Sequence, residues 1–140
     1  MNLKPIFRLH KLFNNFLVYP NLKVGSKMLV RAEGIDDLIK KTIEDVLSDV
    51  FGEKVFKSML HFMETTYSFK WENVSRFSEI FDNALRDIFG EGSTIIEGLI
   101  LRKLYFQLKL ELKWRKNYKF SDYIKELRRN VKRPRDVQRV

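Results

Sequence analysis

From Ile35 onward, apolar residues recur at every third or fourth position, and this spacing constrains the fold more than any other feature of the chain. Such spacing puts the apolar side chains on one face of a helix, and these faces must pack together. Four stretches follow it, with apolar positions at Leu38, Ile39, Ile43, Val46, Leu47, Val50 and Phe51; at Val55, Phe56, Met59, Leu60, Met63 and Tyr67; at Phe77, Ile80, Phe81, Ala84, Leu85, Ile88 and Phe89; and at Ile95, Ile96, Leu99, Ile100, Leu104 and Tyr105. We therefore predict an all-α fold.

Glycines mark the predicted turns between these helices. Gly52 separates the first helix from the second, and Gly90 and Gly92 end the third, because glycine accepts the left-handed backbone that closes a helix. At the start of the fourth helix, Thr94 and Glu97 have the spacing of a capping box. We expect these three glycines to be structural turn residues.

The segment from Phe106 to Trp114 is ambiguous. Its apolar residues alternate with polar ones, which is typical of a strand. Leu104, Leu108 and Leu112 also keep helical spacing, and leucine, lysine, glutamate and glutamine are helix formers rather than β-branched residues. We favour a helix, because no second strand is available to pair with this segment, and the strand remains the alternative.

A last helix is predicted from Phe120, with Ser121 as its cap and a narrow apolar stripe, and Pro134 should end it. The chain is thus expected to be a compact bundle of about five helices with a basic C-terminal arm. The predicted divisions are a loosely structured N-terminal extension over residues 1–34, a helical domain over residues 35–133, and a flexible basic tail over residues 134–140. Met28 is a second candidate translation start, so residues 1–27 are either part of the natural protein or a dispensable leader.

One short sequence occurs twice. Residues 45–53 (DVLSDVFGE) and residues 83–91 (NALRDIFGE) share Leu, Asp, Phe, Gly and Glu at an offset of 38. Either an ancient duplication produced two helical hairpins that pack face to face, or two amphipathic helix ends resemble each other by chance.

Several classes of chemistry have no support in the sequence. There is no cysteine, and His10 and His61 are the only imidazoles, so we expect no metal site. No glycine-rich phosphate loop occurs, and His61 is interpreted as a histidine at the core edge. The acidic residues of the first helix, Asp36, Asp37, Glu44 and Asp45, are expected to face solvent. We predict no catalytic residue and no cofactor, and a cytoplasmic protein without a membrane span or export signal.

Charge is segregated along the chain. Residues 1–34 carry +5, residues 35–100 carry −6 and residues 101–140 carry +10. The C-terminal cations are interleaved with aromatic residues, and guanidinium groups pair well with phosphates while aromatic rings stack on bases. The residues predicted to bind a partner or nucleic acid are Trp114, Arg115, Lys116, Lys119, Arg128, Arg129, Lys132, Arg133 and Arg135. The alternative interpretation is an ordinary solvated basic helix end.

The stretch from Ile35 to about Leu112 resembles the Nitrosopumilus output domain, a small archaeal domain family. The resemblance rests on the run FDNALRDIFGEG at residues 81–92, followed by Ile95-Ile96 and Leu104-Tyr105. It implies an all-helical domain that occurs alone or joined to signalling modules, with an output or interaction role and no assigned chemistry. Residues 1–34 and the basic tail lie outside it.

Together these features favour a non-enzymatic interaction or signalling-output module that binds a protein partner or associates with a second copy of itself. The alternative is an accessory protein that binds DNA or RNA phosphates through its basic C-terminal arm.

Overall fold

The computed structural model describes residues 32–131, which form α1 (Ala32–Phe51), α2 (Glu53–Tyr67), α3 (Ser78–Phe89), α4 (Ser93–Gln107) and α5 (Phe120–Val131). Short 3-10 turns at Trp71–Asn73 and Gly90–Gly92 connect α2 to α3 and α3 to α4. This part of the chain contains no strand, so the all-α prediction is confirmed. Residues 1–31 of the predicted N-terminal extension and the tail from Lys132 onward lie outside the described residues. The predicted number of helices in the whole chain therefore stays a prediction.

Helix α1 lies at the centre of the bundle and packs against α2, α4 and α5, while α3 covers the other side of α4 and α5. The predicted stripe of α1 is buried, since Ile35, Ile39, Ile43, Val46 and Leu47 are each at most 1% exposed. The centre of the α3 stripe is buried to the same degree at Phe81, Ala84 and Leu85. Helical periodicity therefore identified the core faces of these two helices.

Three apolar residues that were predicted to point inward are exposed instead. Val55 is 49% exposed on α2, Phe77 is 41% exposed before α3, and Ile95 is 48% exposed on α4. Each lies at the N-terminal end of its apolar stripe.

Aromatic side chains join the link after α2 to the core. The Trp71 ring makes edge contacts with Phe81 at 5.8 Å and with Phe56 at 5.9 Å between ring centroids. Two carboxylates fix the position of Trp71: its indole N–H donates to Glu44 and its backbone N–H donates to Glu64, both at 2.8 Å. Glu44 was expected to face solvent, so that prediction is wrong.

The two copies of the repeated sequence meet in the fold. Phe51 and Phe89, which occupy the same position of the repeat, stack with ring centroids 4.9 Å apart and planes 11° from parallel. The glycine after each phenylalanine has positive φ, 88° at Gly52 and 59° at Gly90, so each glycine ends its helix as predicted. Gly92 has an ordinary φ of −64° within the 3-10 turn. Duplication stays a prediction, because a contact between two helix ends also arises without common ancestry.

The preferred helix over residues 106–114 is wrong beyond Gln107, and the alternative strand is absent from this segment too. Lys109 adopts a left-handed backbone with φ 58°. Its N–H donates to the Phe106 carbonyl at 3.1 Å, and the Leu110 N–H donates to the Tyr105 carbonyl at 2.9 Å. These two bonds form a Schellman motif, which closes the end of α4. Residues 108–119 then form an irregular loop that leads to α5.

Candidate partner-binding surface

Arg115 is held by an internal network of the loop between α4 and α5. Its backbone N–H donates to the Tyr123 hydroxyl at 2.8 Å, and its guanidinium donates to Tyr118 at 2.8 Å and to Glu126 at 2.9 Å. The charge of Glu126 raises the pKa of the Arg115 guanidinium. Half of the Arg115 side chain stays exposed, but its charge is already paired.

Arg128 is also engaged within the fold. Its guanidinium Nε lies 2.7 Å from Oδ1 of Asp36 on α1, and its side chain is only 19% exposed. The Ser75 hydroxyl donates to the same carboxylate oxygen at 2.6 Å. Arg128 therefore connects α5 to α1. Asp36 was predicted to face solvent, and that prediction is wrong.

Trp114 is the most exposed large apolar side chain in the described part of the chain, at 52%. One edge of its indole meets Tyr123, with centroids 5.9 Å apart, and the Arg102 guanidinium lies 5.3 Å from the indole centroid. A Cβ placed on Gly98 would lie 3.9 Å from the ring, so the indole rests against the glycine face of α4. These contacts hold the ring in place while leaving much of it open to solvent.

The other predicted binding residues divide into two groups. Lys116 and Lys119 in the loop and Arg129 on α5 are exposed. Lys132, Arg133 and Arg135 lie outside the described residues. We define the Trp114 surface as Trp114 and Arg102 together with the exposed loop residues Lys113 and Lys116.

A buried acidic pair lies between α3 and α4, and the sequence analysis did not identify it. Asp82 is 3% exposed and Glu97 is 6% exposed. Burial, together with a hydrogen bond to Asp82 and the charge of Asp82, raises the pKa of Glu97 to about 9. At neutral pH Glu97 is therefore protonated and shares its proton with Asp82.

The position of Glu97 overturns the predicted capping box. Helix α4 begins at Ser93 without a side-chain cap, and the Thr94 hydroxyl donates to the Glu91 carbonyl at 2.9 Å. Glu97 lies on the buried side of α4 because it is three or four positions from the buried residues Ser93, Ile100 and Leu101. Its place in the apolar run Ile95-Ile96-Glu97-Gly98-Leu99 was the one sequence feature that pointed to burial.

A small cavity opens beside this acidic pair. It has a volume of about 130 Å³ and is lined by Glu79, Asp82, Asn83, Arg86, Lys119 and Ser121. Ligand pockets for organic molecules measure roughly 300–1,000 Å³. Arg86 lies 3.3 Å from Asp82, and Lys125 lies 2.6 Å from Glu79. Of the ionisable groups that line this cavity, Glu79, Asp82 and Arg86 thus each have a charged partner.

Other expected site features take different places. His61 is exposed on α2 rather than at the core edge. The Asp45 side chain is 43% exposed, as expected, and it also pairs with Lys103 at 3.5 Å. Ser121 is buried inside the first turn of α5 instead of capping it. The backbone N–H of Lys119, just before this helix, donates to the Asp122 carboxylate at 2.8 Å.

The charge of the chain is concentrated outside the described fold. Residues 32–131 are neutral in sum, whereas residues 1–31 carry +6 and residues 132–140 carry +3. Within residues 32–131, acidic and histidine side chains do not gather in a group of three that could hold a metal ion. Over the same residues, no helix combines the length and the apolar character that crossing a bilayer requires.

No family model matches the sequence, and no curated protein or solved structure is significantly similar to it. The resemblance to the Nitrosopumilus output domain and the archaeal origin that it implies therefore stay predictions.

Proposed function

We propose that this chain is a non-enzymatic helical binding module whose ligand is single-stranded nucleic acid. The Trp114 surface carries this proposal. It places an exposed indole beside the Arg102 guanidinium of α4, in a loop that also carries the exposed cations Lys113 and Lys116. Single-strand binding proteins combine aromatic rings that stack on bases with positive charge that tracks the backbone.

A non-enzymatic role is supported by the way in which buried charge is used. The acidic pair Asp82 and Glu97 shares a proton between two helices, and the adjacent cavity is small for an organic substrate. Buried carboxylates of this kind are consistent with structural pairing. We also propose a cytoplasmic location. The signalling-output role, which the family resemblance implies, is part of the proposal as well.

The intrinsic fluorescence of the protein gives a direct test. The chain has two tryptophans, and Trp71 is buried with 5% exposure. When oligothymidylate is added, stacking of a base on Trp114 should therefore quench the fluorescence of Trp114 and leave that of Trp71 unchanged. The Trp114→Phe variant should bind without this quenching, because phenylalanine still stacks but lacks the indole.

The Trp114→Ala variant tests the energetic role of the ring. Because base–aromatic stacking contributes about 1–3 kcal/mol, we expect the Kd for oligothymidylate to rise at least about five-fold. Phe62→Ala is the matched control, since Phe62 is 42% exposed on α2 and should leave the Kd unchanged. An unchanged Kd in the Trp114→Ala variant would remove the assignment of this surface.

Self-association or binding of a protein partner is the second candidate. Val55 and Phe62 favour it, because they are exposed apolar residues seven positions apart on α2 and so share one side of that helix. Light scattering over a range of protein concentrations tests self-association. A mass above that of one chain, reduced by Phe62→Ala, would support it, and a constant monomer mass would exclude it.

A further inference from the structure

The small cavity between α3 and the start of α5 is a second candidate site. It has a volume of about 130 Å³, and its wall is formed by Glu79, Asp82, Asn83, Arg86, Lys119 and Ser121. Because a water molecule takes up about 30 Å³, the cavity has space for about four waters or for one ion of a few non-hydrogen atoms. A ligand of this cavity must therefore be small, or must insert only a small group into it.

The first backbone N–H groups of α5 lack acceptors. Every helix leaves its first N–H groups without partners inside the helix. The Lys119 N–H donates to the Asp122 carboxylate, and the Asp122 N–H donates to the Lys119 carbonyl at 2.9 Å. The N–H groups of Phe120 and Ser121 donate to no acceptor within residues 32–131. Because Phe120 and Ser121 are only 4% and 2% exposed, bulk water has little access to these two residues.

The Ser121 hydroxyl is a third donor without a partner. Ser121 lines the cavity, and its hydroxyl makes no hydrogen bond with any residue that the structure describes. Buried hydroxyls normally have a partner, because an unpaired one loses its bond to water without compensation. Two N–H groups and a hydroxyl at the start of a helix are suited to an oxyanion, because the helix dipole also favours negative charge there.

The charges around the cavity also favour an anion. Its two carboxylates are already paired, Glu79 with Lys125 at 2.6 Å and Asp82 with Arg86 at 3.3 Å. Arg86 uses only its Nη2 nitrogen in this pair, and a guanidinium has five N–H donors. The Lys119 ammonium has no ion-pair partner in the described part of the chain. Three cations therefore meet two carboxylates here, and the surplus positive charge lies directly before α5.

We propose that this cavity binds a phosphate group, which accepts hydrogen bonds from Ser121 and from the N–H groups at the start of α5 and pairs with Lys119 and Arg86. A phosphate ion has five non-hydrogen atoms, and its oxygens accept charge-assisted hydrogen bonds from both N–H and O–H donors. The ligand is inorganic phosphate or the phosphate of a larger molecule whose remainder stays outside the cavity. The site shares no residue with the Trp114 surface, so the inference stands apart from the proposed function.

The test is a titration of the full chain with inorganic phosphate, followed through the backbone amide resonances by NMR. The proton resonances of Phe120 and Ser121 should move downfield and saturate together, because their N–H groups gain an acceptor. Thymidine 5′-monophosphate is titrated in parallel, with thymidine as its unphosphorylated control. The ionic strength is held constant, so that the screening of charge does not change during the titration.

Two variants remove donors, and each has a matched control. Ser121→Ala should raise the Kd for phosphate about ten-fold, because a hydrogen bond to a charged group is lost. Ser93→Ala should leave the Kd unchanged, since Ser93 is also a buried serine at a helix start with an unpaired hydroxyl but does not line the cavity. Lys119→Gln should also raise the Kd about ten-fold, whereas Lys116→Gln removes the same charge from the same loop outside the cavity wall.

The outcomes decide both the site and the source of the phosphate. Saturation by inorganic phosphate and by thymidine 5′-monophosphate, but not by thymidine, supports a site for phosphate groups of larger molecules. Saturation by inorganic phosphate alone supports a site for the free ion. Amide shifts of Phe120 and Ser121 that do not saturate with either ligand would overturn the inference, as would an equal Kd in Ser121→Ala and Ser93→Ala. Circular dichroism melting checks the fold of each variant, and the titration of the natural chain decides if a variant is unfolded.

Discussion

Lys109 closes helix α4 in a left-handed conformation with φ 58°, which side chains other than glycine and asparagine seldom adopt. The two hydrogen bonds of the Schellman motif hold it there, so the fold carries a local conformational cost at this residue. Glycine would take the same backbone without that cost.

We therefore expect Lys109→Gly to raise the free energy of unfolding by about 0.5–1 kcal/mol, the relief of strain being partly offset by the greater freedom of glycine in the unfolded chain. Urea denaturation measures the change. Lys113→Gly, at an exposed position of the same loop without positive φ, should bring no gain. Equal effects of the two substitutions would contradict the strain at Lys109.

The second residue-scale prediction concerns Glu97, whose pKa is raised from 4.5 to about 9 by burial and by Asp82. The folded protein retains a proton that the unfolded chain releases above about pH 4.5, so stability is full below that pH and falls until about pH 9. The Glu97→Gln variant keeps a donor toward Asp82 but cannot ionise. Relative to the natural chain, we expect it to gain on the order of 1–3 kcal/mol of unfolding free energy between pH 5 and pH 9.

Urea denaturation at several pH values checks this difference. Glu91→Gln is the control, because Glu91 is exposed in the 3-10 turn and should show no such trend relative to the natural chain. If the stability curves of Glu97→Gln and the natural chain ran parallel with pH, Glu97 would not hold its proton in the fold.

At the scale of elements, α5 depends on contacts made far away in sequence. It packs against α3 and α1, and the Asp36–Arg128 ion pair joins it to α1. Removing one partner of a partly buried pair leaves the other charge without compensation.

Asp36→Ala should therefore lower the free energy of unfolding by about 2 kcal/mol, because both Arg128 and Ser75 lose their acceptor. Asp37→Ala is a close control, since Asp37 is exposed in the same turn of α1 and has the same relation to the helix dipole. Thermal unfolding followed by circular dichroism measures both. A loss of equal size in the two variants would show that the helix dipole, and not the ion pair, accounts for the effect.

The elements also show which parts of the structure could be predicted from sequence. The stripes of α1 and α3 and the stop at Gly52 are local patterns, and local geometry decides them. The end of α4 was missed because a lysine takes the place usually held by glycine. The burial of Glu97 and the pairing of Arg128 depend on which helices meet, which spacing along one helix does not specify. The sequence predicted which residue types form the candidate surface. It did not predict that Glu126 pairs with Arg115 or that Asp36 pairs with Arg128.

At the scale of the whole molecule, the described helices are neutral in sum, and the net charge of +9 comes from residues 1–31 and 132–140 of the sequence. Because like charges repel, a zero net charge over residues 32–131 lets apolar packing stabilise these helices without net self-repulsion. The Trp114 surface adds an aromatic ring that charge alone would not supply.

The affinity of the full chain for single-stranded oligothymidylate, measured at about 50 mM and about 200 mM salt, tests the central claim most directly. Binding through about six or more phosphate contacts predicts that affinity falls about 100-fold or more over this range. An affinity that hardly changes with salt, or no binding at the lower concentration, would contradict the assignment of a nucleic-acid ligand.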